Sequence, residues 1–357
     1  MRKENGHSNR GIVVLAIGTL ALTAASPALS VTFSQLTSTV GCSGSQFPSL
    51  NASADQVAFE SGCDLVPGQN PTLNNEIFLM SIDGSELQQL TSSPPPGLSA
   101  NAGVNASARK ITFLSFSDLI PGQNGDFNSE IFLISSDGTG LIQLTNSTGG
   151  VDVGGIDLAN HTPAMDYSGR QVIFTSILDL VPGQNSDGST EVFLINADGT
   201  GLVQLTATPL GANSGCGRLA ASGKKFVFRS DGDWLGQNPD FNGELFLRRT
   251  NGSNLVQLTN ITGGSGVNET AVDAAGRVAA FSSDSDVVAG GNLDGNQEIF
   301  LIDIRTGQVT QLTFTTGGRC FAPSLAANGR SVVFSCDRDL VPGSNADGNL
   351  EIFMAEW

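Results

Sequence analysis

A short motif that recurs six times limits the possible folds of this chain more than any other feature. The motif is a glutamate, an aliphatic residue and a phenylalanine, at intervals of 54, 61, 53, 54 and 53 residues. Its glutamates are Glu76, Glu130, Glu191, Glu244, Glu298 and Glu351. A period of this length is too long for one coil of a solenoid and matches a four-stranded blade of a β-propeller.

A second motif, Gln-Leu-Thr, shows how the repeats connect. It also occurs six times, beginning at Gln35, Gln89, Gln143, Gln204, Gln257 and Gln311. The first copy precedes every Glu-x-Phe, and no copy follows the last one. The sixth repeat therefore lacks its fourth strand, and we expect residues 31–37 to supply it. A ring closed in this way has no unpaired strand edge.

The pattern within each repeat predicts an all-β chain. Alternating segments such as Gln171–Ser176 are typical of strands, and turns such as Asn328-Gly329 have the chemistry of tight hairpins. No segment has helical periodicity. The prediction is a six-bladed β-propeller of four-stranded antiparallel blades, with an insertion at residues 149–161 that accounts for the longest interval.

The first thirty residues have the pattern of a secretory signal peptide. Basic residues precede an apolar stretch from Gly11 to Leu22, which is too short to span a bilayer. We expect cleavage after Ala28 or Ser30, and an uncleaved anchor is the alternative. The predicted domains are a signal peptide at 1–30 and a propeller at 31–357, whose last blade is completed by residues 31–37. A secreted or periplasmic protein without a membrane-inserted segment after cleavage follows from this pattern.

The chain is strongly acidic, with 17 basic and 34 acidic residues. A basic surface is needed to bind nucleic acid or anionic lipid, so the charge argues against both partners. The acidity serves solubility, or it favours a cationic partner or a metal ion. We expect a monomer.

Four of the five cysteines occupy matching places in the first and sixth repeats. Cys42 precedes and Cys63 follows the first two strands of one repeat, and Cys320 and Cys336 do the same in the other. An antiparallel pair places these positions side by side, and an exported protein can form disulfides. We therefore predict Cys42–Cys63 and Cys320–Cys336, with Cys216 free or buried.

The combination of Ser-x-Asp-Gly-(Arg/Lys)-x-Val-x-Phe-x-Ser, Asp-Gly-Asn-x-Glu-Ile-Phe and Asp-Gly-x-x-x-x-Gln-Leu-Thr resembles the TolB-like β-propeller repeat. The resemblance covers residues 31–357 and implies a six-bladed ring, often used in bacterial envelopes as a platform for protein docking. The chain departs from TolB because it lacks the preceding α/β domain and has a longer loop between the second and third strands. The specific partners of TolB are therefore not carried over.

Residue types needed for most catalytic sites are scarce. His7 and His161 are the only histidines, and no Gly-x-Ser-x-Gly motif occurs. Carboxylates are plentiful, but no two of them stand out as a catalytic pair. No catalytic residue is predicted, and a carbohydrate-active enzyme that uses Asp or Glu residues remains an alternative.

The loop between the second and third strands carries the most distinctive pattern. Asp-Leu-Val-Pro-Gly-Gln-Asn spans Asp64–Asn70, with copies starting at Asp118, Asp179, Asp233, Asp286 and Asp339. An Asn-x-Asp-x-(Asn/Ser)-x-Glu pattern follows, with Thr72 in place of the aspartate in the first repeat. These side chains either satisfy backbone donors in turns or bind calcium, which prefers oxygen ligands. No other cofactor is expected.

The predicted calcium ligands lie in repeats two to six. They are Asp126, Asn128, Glu130, Asp187, Glu191, Asp240, Asn242, Glu244, Asp294, Asn296, Glu298, Asp347, Asn349 and Glu351. These loops and the connections between blades leave the ring at the same end. We therefore expect an exported, non-catalytic module that binds or scaffolds a protein or glycan partner through an acidic loop face. A structural or cell-surface role, in which the ring is a stable spacer, is a further alternative.

Overall fold

A computed structural model describes residues 30–148, 162–209 and 211–357. Residues 31–357 form one compact unit. The described residues contain strands, turns and loops and no helix. The predicted signal peptide, the insertion at 149–161 with His161, and the side chain of Cys216 lie outside the described part of the molecule.

Six sheets of four antiparallel strands form the blades of a propeller, which confirms the predicted fold. The strands are β1 Thr32–Gln35, β2 Ser45–Leu50, β3 Gln56–Ser61, β4 Glu76–Ser81, β5 Gln88–Gln89, β6 Ser99–Val104, β7 Lys110–Ser115, β8 Glu130–Ser135, β9 Ile142–Gln143, β10 Ala164–Met165, β11 Gln171–Ser176, β12 Glu191–Asn196, β13 Val203–Gln204, β14 Ser214–Leu219, β15 Lys225–Ser230, β16 Glu244–Arg249, β17 Val256–Gln257, β18 Val267–Val272, β19 Val278–Ser283, β20 Glu298–Asp303, β21 Val309–Gln311, β22 Cys320–Leu325, β23 Ser331–Cys336 and β24 Glu351–Glu356. Blades one to five use β2–β5, β6–β9, β10–β13, β14–β17 and β18–β21 in chain order.

The sixth blade joins the two ends of the ring. Its strand order is β1-β24-β23-β22, and Ser34 lies opposite Met354 in the register of β1 and β24. The Leu36 amide continues the ladder with a 2.8 Å hydrogen bond to the Ile352 carbonyl. The predicted closure of the ring by the N-terminal strand is confirmed, and it removes the unpaired edge from blade six.

The core of each blade is a pair of stacked phenylalanines from its second and third strands. One of each pair belongs to the Glu-x-Phe motif, and the ring centroids are 5.4–6.3 Å apart. The pairs are Phe59 with Phe78, Phe113 with Phe132, Phe174 with Phe193, Phe228 with Phe246, Phe281 with Phe300, and Phe334 with Phe353. Each stack adds about 0.5–1.5 kcal/mol to the burial of its rings. Ala58 and Ile77 of blade one pack against Phe113 of blade two, so the apolar layers also bind neighbouring blades together.

The first strands of the blades surround the central channel. At one end, the Ala52 amide bonds to the Ala106 carbonyl at 3.2 Å, and the Ala327 amide bonds to the Ala52 carbonyl at 3.2 Å. A cavity of about 60 Å³ lies there, lined by residues from all six blades. All six blades therefore contribute to the wall of the channel at this end.

Both predicted disulfides are present, Cys42–Cys63 and Cys320–Cys336. Their Cα atoms are 5.4 and 4.1 Å apart. Cys320 and Cys336 are directly opposed inside β22 and β23, whereas the sequence placed them just outside these strands. The strands are longer than predicted because the ladder continues through the polar residues at their ends. The two bridges fix the first and sixth blades, which flank the closure.

Candidate functional site: the loop face

Two sets of loops meet at one end of the ring, which we call the loop face. It comprises the loops 62–75, 116–129, 177–190, 231–243, 284–297 and 337–350, together with the connections between successive blades. Asn74 joins the two sets in blade one, because its Nδ2 donates to the carbonyls of Ser93 and Gly97, both at 3.0 Å. The predicted position of both sets at one end is thus confirmed.

The first aspartate of each loop has a structural role. The Asp64 carboxylate accepts from the amides of Gly68 at 2.7 Å and Asn70 at 2.9 Å, as well as from that of Gln69. These donors favour the ionised form and lower the pKa of Asp64. Asp118, Asp179, Asp286 and Asp339 make the same set of contacts, and Asp233 bonds to the Asn238 amide.

The glutamate of each Glu-x-Phe motif fastens the outer strand of its blade. Glu76 is 1% exposed and accepts from the Thr91 hydroxyl at 2.5 Å and from the Ser93 amide at 2.6 Å. The Thr91 oxygen accepts in turn from the Ile77 amide. Burial of the carboxyl raises the pKa of Glu76. This contact links Glu-x-Phe to Gln-Leu-Thr in each blade and explains why the two motifs recur in fixed phase.

The structure brings the predicted calcium ligands together loop by loop. In blade two, Asn124 Nδ2 donates to the Asn128 carbonyl at 2.9 Å, and Asn128 Nδ2 donates to the Ser147 carbonyl at 2.9 Å. Burial raises the pKa of Glu130, and repulsion from Asp126 adds to this shift. No group of three or more His, Cys, Asp or Glu side chains in the described residues could hold a metal ion. A metal at these loops would therefore need asparagine oxygens as ligands.

Three loops present a large apolar side chain where the chain turns sharply. Leu73, Phe127 and Phe241 have φ angles of +53°, +56° and +53°, and they are 53%, 57% and 64% exposed. The equivalent positions in blades three, five and six are Gly188, Gly295 and Gly348. Glycine adopts positive φ without strain, whereas a bulky residue does so at a cost of order 1–3 kcal/mol. No sequence motif predicted this site, although the mixture of glycine with leucine or phenylalanine at one repeat position was a visible signal.

Further exposed apolar side chains surround these three. Val40, Leu235, Leu293 and Phe314 are 83%, 44%, 83% and 70% exposed and lie in the same loops and connections. Ile142, Val203 and Val256 are the other large exposed apolar side chains in the described residues, and they lie on outer strands. Exposed apolar side chains are therefore concentrated on the loop face, an arrangement typical of interaction sites.

The loop face is also acidic. Its aspartates include the six that begin the loops and five more, which are Asp126, Asp187, Asp240, Asp294 and Asp347. Arg229 lies 3.8 Å from Asp231, and Arg338 lies 3.4 Å from Asp337. These arginines neutralise neighbouring aspartates rather than forming a basic patch.

A buried carboxylate that sequence reasoning missed lies between blades one and two. Glu60 is 2% exposed, and burial raises its pKa to about 7. Its oxygens accept from the Asn101 amide at 2.6 Å, Gln46 Nε2 at 2.8 Å and Asn75 Nδ2 at 3.0 Å. Asn101 has a φ of +55° and belongs to the next blade, so no local sequence signal marks this contact.

No helix in the described residues is long and apolar enough to cross a membrane. No protein-family model matches the chain, and no curated protein matches it in sequence. Solved structures do match. TolB from Acinetobacter baumannii is 19% identical with a TM-score of 0.55, and the match covers 86% of this chain and 65% of that one. The chain thus spans less than two thirds of that TolB.

Two oligogalacturonate lyases are similar in fold as well. The lyase solved in complex with manganese is 12% identical with a TM-score of 0.52, over 87% of this chain and 76% of that one. The lyase from Vibrio parahaemolyticus is 10% identical with a TM-score of 0.50, over 92% of this chain and 97% of that one. Identities this low show the fold alone, a TolB-like six-bladed β-propeller.

Proposed function

We propose that this propeller is a non-catalytic binding module of the cell envelope or the secreted fraction, and that it docks a protein partner on its loop face. The observation that carries the proposal is the set of strained, exposed side chains Leu73, Phe127 and Phe241. Backbone strain of this kind is retained at functional sites. Replacing the strained residue there would make the fold more stable but would remove a functional interaction. The glycines at the matching positions of three other blades indicate that the turn itself does not need a large side chain.

The chemistry of the face specifies the kind of partner. Phenylalanine rings in exposed loops provide large contact areas that bind apolar pockets or side chains of a protein. The surrounding aspartates favour a partner with basic residues next to its apolar ones, because opposite charges steer association. We therefore expect a protein segment that combines apolar and basic residues.

An exported location fits the two disulfides. Disulfides persist in oxidising compartments such as the periplasm or the extracellular space. Both bridges close a covalent loop at the blades beside the ring closure. The predicted signal peptide and the two cysteine pairs together support an exported location.

The test compares binding with stability in the same variants. Phe127→Gly and Phe241→Gly remove the rings and leave a residue that tolerates positive φ, so the melting temperature should stay close to that of the wild type. Affinity capture from the envelope fraction, followed by mass spectrometry, should lose one protein specifically with these variants. Val203→Ser and Val256→Ser remove exposed apolar side chains elsewhere and should retain it. Equal retention by all four variants would contradict the proposal.

A carbohydrate-active enzyme is the second candidate, and Glu60 is the observation that favours it. A carboxyl with a pKa near 7 has the protonation behaviour of a general acid. The fold is also shared with oligogalacturonate lyases. Turnover in a screen of oligosaccharides, abolished by Glu60→Gln with the fold retained, would support this candidate. Glu60 accepts three hydrogen bonds in a buried setting, and for this reason we rank the binding module first.

A further inference from the structure

The loop of blade three contains a point where several side-chain oxygens meet. The Ser189 hydroxyl oxygen lies 3.1 Å from Asn185 Oδ1, 2.9 Å from Asp187 Oδ1 and 3.0 Å from Glu191 Oε1. The hydroxyl donates its hydrogen into this set of acceptors. Three acceptors thus surround one small group supplied by the loop itself.

In blade one, a different residue supplies the hydroxyl that donates to the loop oxygens. The Thr72 hydroxyl donates to Asn74 Oδ1 at 2.5 Å and lies 3.5 Å from Asn70 Oδ1. Thr72 occupies the position of Asp187, and Asn74 occupies that of Ser189. In both blades a hydroxyl of the chain therefore lies among the oxygens of the loop.

The other four blades have neither hydroxyl. An aspartate replaces Thr72, and an asparagine replaces Ser189. Within the described residues, the Oδ1 atoms of the first asparagines are shielded from solvent and have no hydrogen-bond donor: Asn124, Asn238, Asn292 and Asn345. The side chains of these four residues are only 0–3% exposed. The Oδ1 atoms of the second asparagines are also shielded from solvent and have no hydrogen-bond donor: Asn128, Asn242, Asn296 and Asn349.

The orientation of these amides is fixed by their nitrogens. In blade four, Asn238 Nδ2 donates to the Asn242 carbonyl at 2.9 Å, and Asn242 Nδ2 donates to the Ile261 carbonyl at 2.8 Å. A flipped amide would place its oxygen against a carbonyl oxygen. Both Oδ1 atoms must therefore face the interior of the loop, where the blade-three contacts show that the oxygens converge.

An unpaired buried acceptor is costly, so a group with positive charge or donor hydrogens is expected there. Each of the four loops offers two carboxamide oxygens, an aspartate and a glutamate, and the two carboxamide oxygens receive no donor. Oxygen ligands of this type bind hard divalent cations, and calcium accepts six to eight of them in flexible geometry. We propose that the loops of blades two, four, five and six each bind one calcium ion through both asparagine oxygens and the intervening aspartate, whereas blades one and three bind none.

The four sites differ in whether the carboxylate of their aspartate already accepts a hydrogen bond. Asp240 Oδ2 accepts from Asn242 Nδ2 at 3.2 Å, and Asp294 Oδ2 accepts from the Gly317 amide at 2.8 Å. Asp126 and Asp347 make no such contact among the described residues. The sites of blades two and six are therefore the tighter pair. This assignment narrows the five loops expected from the sequence to four, because Ser189 takes the place of the ion in blade three.

The test uses a matched gain and loss of one site. Ser189→Asn gives blade three the Asn-x-Asp-Gly-Asn-x-Glu pattern of blades five and six, and Asn349→Ser gives blade six the pattern of blade three. The disulfide-intact protein is stripped with EDTA and dialysed against CaCl₂ up to about 10 mM, above the 0.1–1 mM dissociation constants of extracellular modules. Bound calcium is then measured by atomic emission, and melting temperatures are recorded with EDTA and with calcium.

The expected result is one bound ion per site in the four named loops, one more in Ser189→Asn and one fewer in Asn349→Ser. Calcium should also raise the melting temperature of the wild type, since it binds only the folded ring. Identical melts in EDTA and calcium with no bound ion would overturn the proposal. Binding that neither substitution changes would also overturn it, because the ion would then lie elsewhere.

Discussion

Substitution of the closing strand gives the sharpest test of the ring architecture. Glu351 is 1% exposed and accepts from the Thr37 hydroxyl at 2.5 Å and from the Thr39 amide at 2.5 Å. Thr37→Val keeps the shape of the side chain and removes one of these donors. Because hydrogen bonds to charged groups contribute about 1.5–3 kcal/mol, we expect the free energy of unfolding to fall by that amount.

A matched control makes this prediction specific to closure. Thr91→Val removes the same contact to Glu76 in blade one, where all four strands are continuous in sequence. If β1 is held as firmly as an internal outer strand, both substitutions cost the same. Deletion of residues 31–37 should cost more, about 5 kcal/mol, because it leaves a buried carboxylate short of partners and uncovers Phe334, against which Phe33 packs.

Urea unfolding followed by tryptophan fluorescence measures all three variants. Trp357 packs beside the last strand and reports directly on the closing blade. A Thr37→Val variant with wild-type stability, next to a destabilised Thr91→Val variant, would contradict a firmly closed ring. It would mean that β1 is detached in solution and that blade six has three strands.

Three further predictions follow from the buried and bonded groups. Glu60 has a folded pKa of about 7 against an ordinary value of 4.5, so the folded state keeps a proton that the unfolded state loses between these pH values. The contribution of Glu60 to stability should therefore be complete below pH 4.5 and fall by roughly 3 kcal/mol as the pH rises through 7, and Glu60→Gln should flatten this part of the curve in urea melts from pH 5 to 8. Asp118→Ala should lower the melting temperature because three backbone amides lose their acceptor, whereas Asp126→Ala, measured in EDTA, should leave it unchanged; the reverse order would contradict the assignment of these two aspartates. Replacing Cys320 and Cys336 together by serine should cost about 3 kcal/mol, and an unchanged urea midpoint would count against a stabilising bridge.

The sequence was sufficient for the architecture because each repeat carries its own constraints. The stacked pair Phe59 and Phe78 has a counterpart in every blade, and so has the hydrogen-bonded pair Glu76 and Thr91. The spacing of the two motifs and their relative order therefore suffice to predict the ring and its closure. Strand ends were less accurate, as Cys320 shows, because polar residues continue the ladder beyond the alternating segment.

The site was only partly predictable. The loop asparagines and aspartates were visible as a motif, but their unpaired oxygens appear only when the partners of each amide nitrogen are known. A hydrophobicity pattern does not show that φ is positive at Phe127 and Phe241. The glycines at the equivalent position of other repeats are the sequence signal for it. Glu60 bonds to Asn101 across two blades, a contact between residues distant in sequence that no local reading contains.

The most direct test of the binding account is site-specific photocrosslinking in the producing cells. A photoreactive phenylalanine analogue at position 127 or 241 lies on the loop face, and one at position 203 or 256 lies on an outer strand. The account predicts an adduct with the same protein from positions 127 and 241, and none from the other two. Adducts of equal yield from all four positions, or from the outer strands alone, would contradict it.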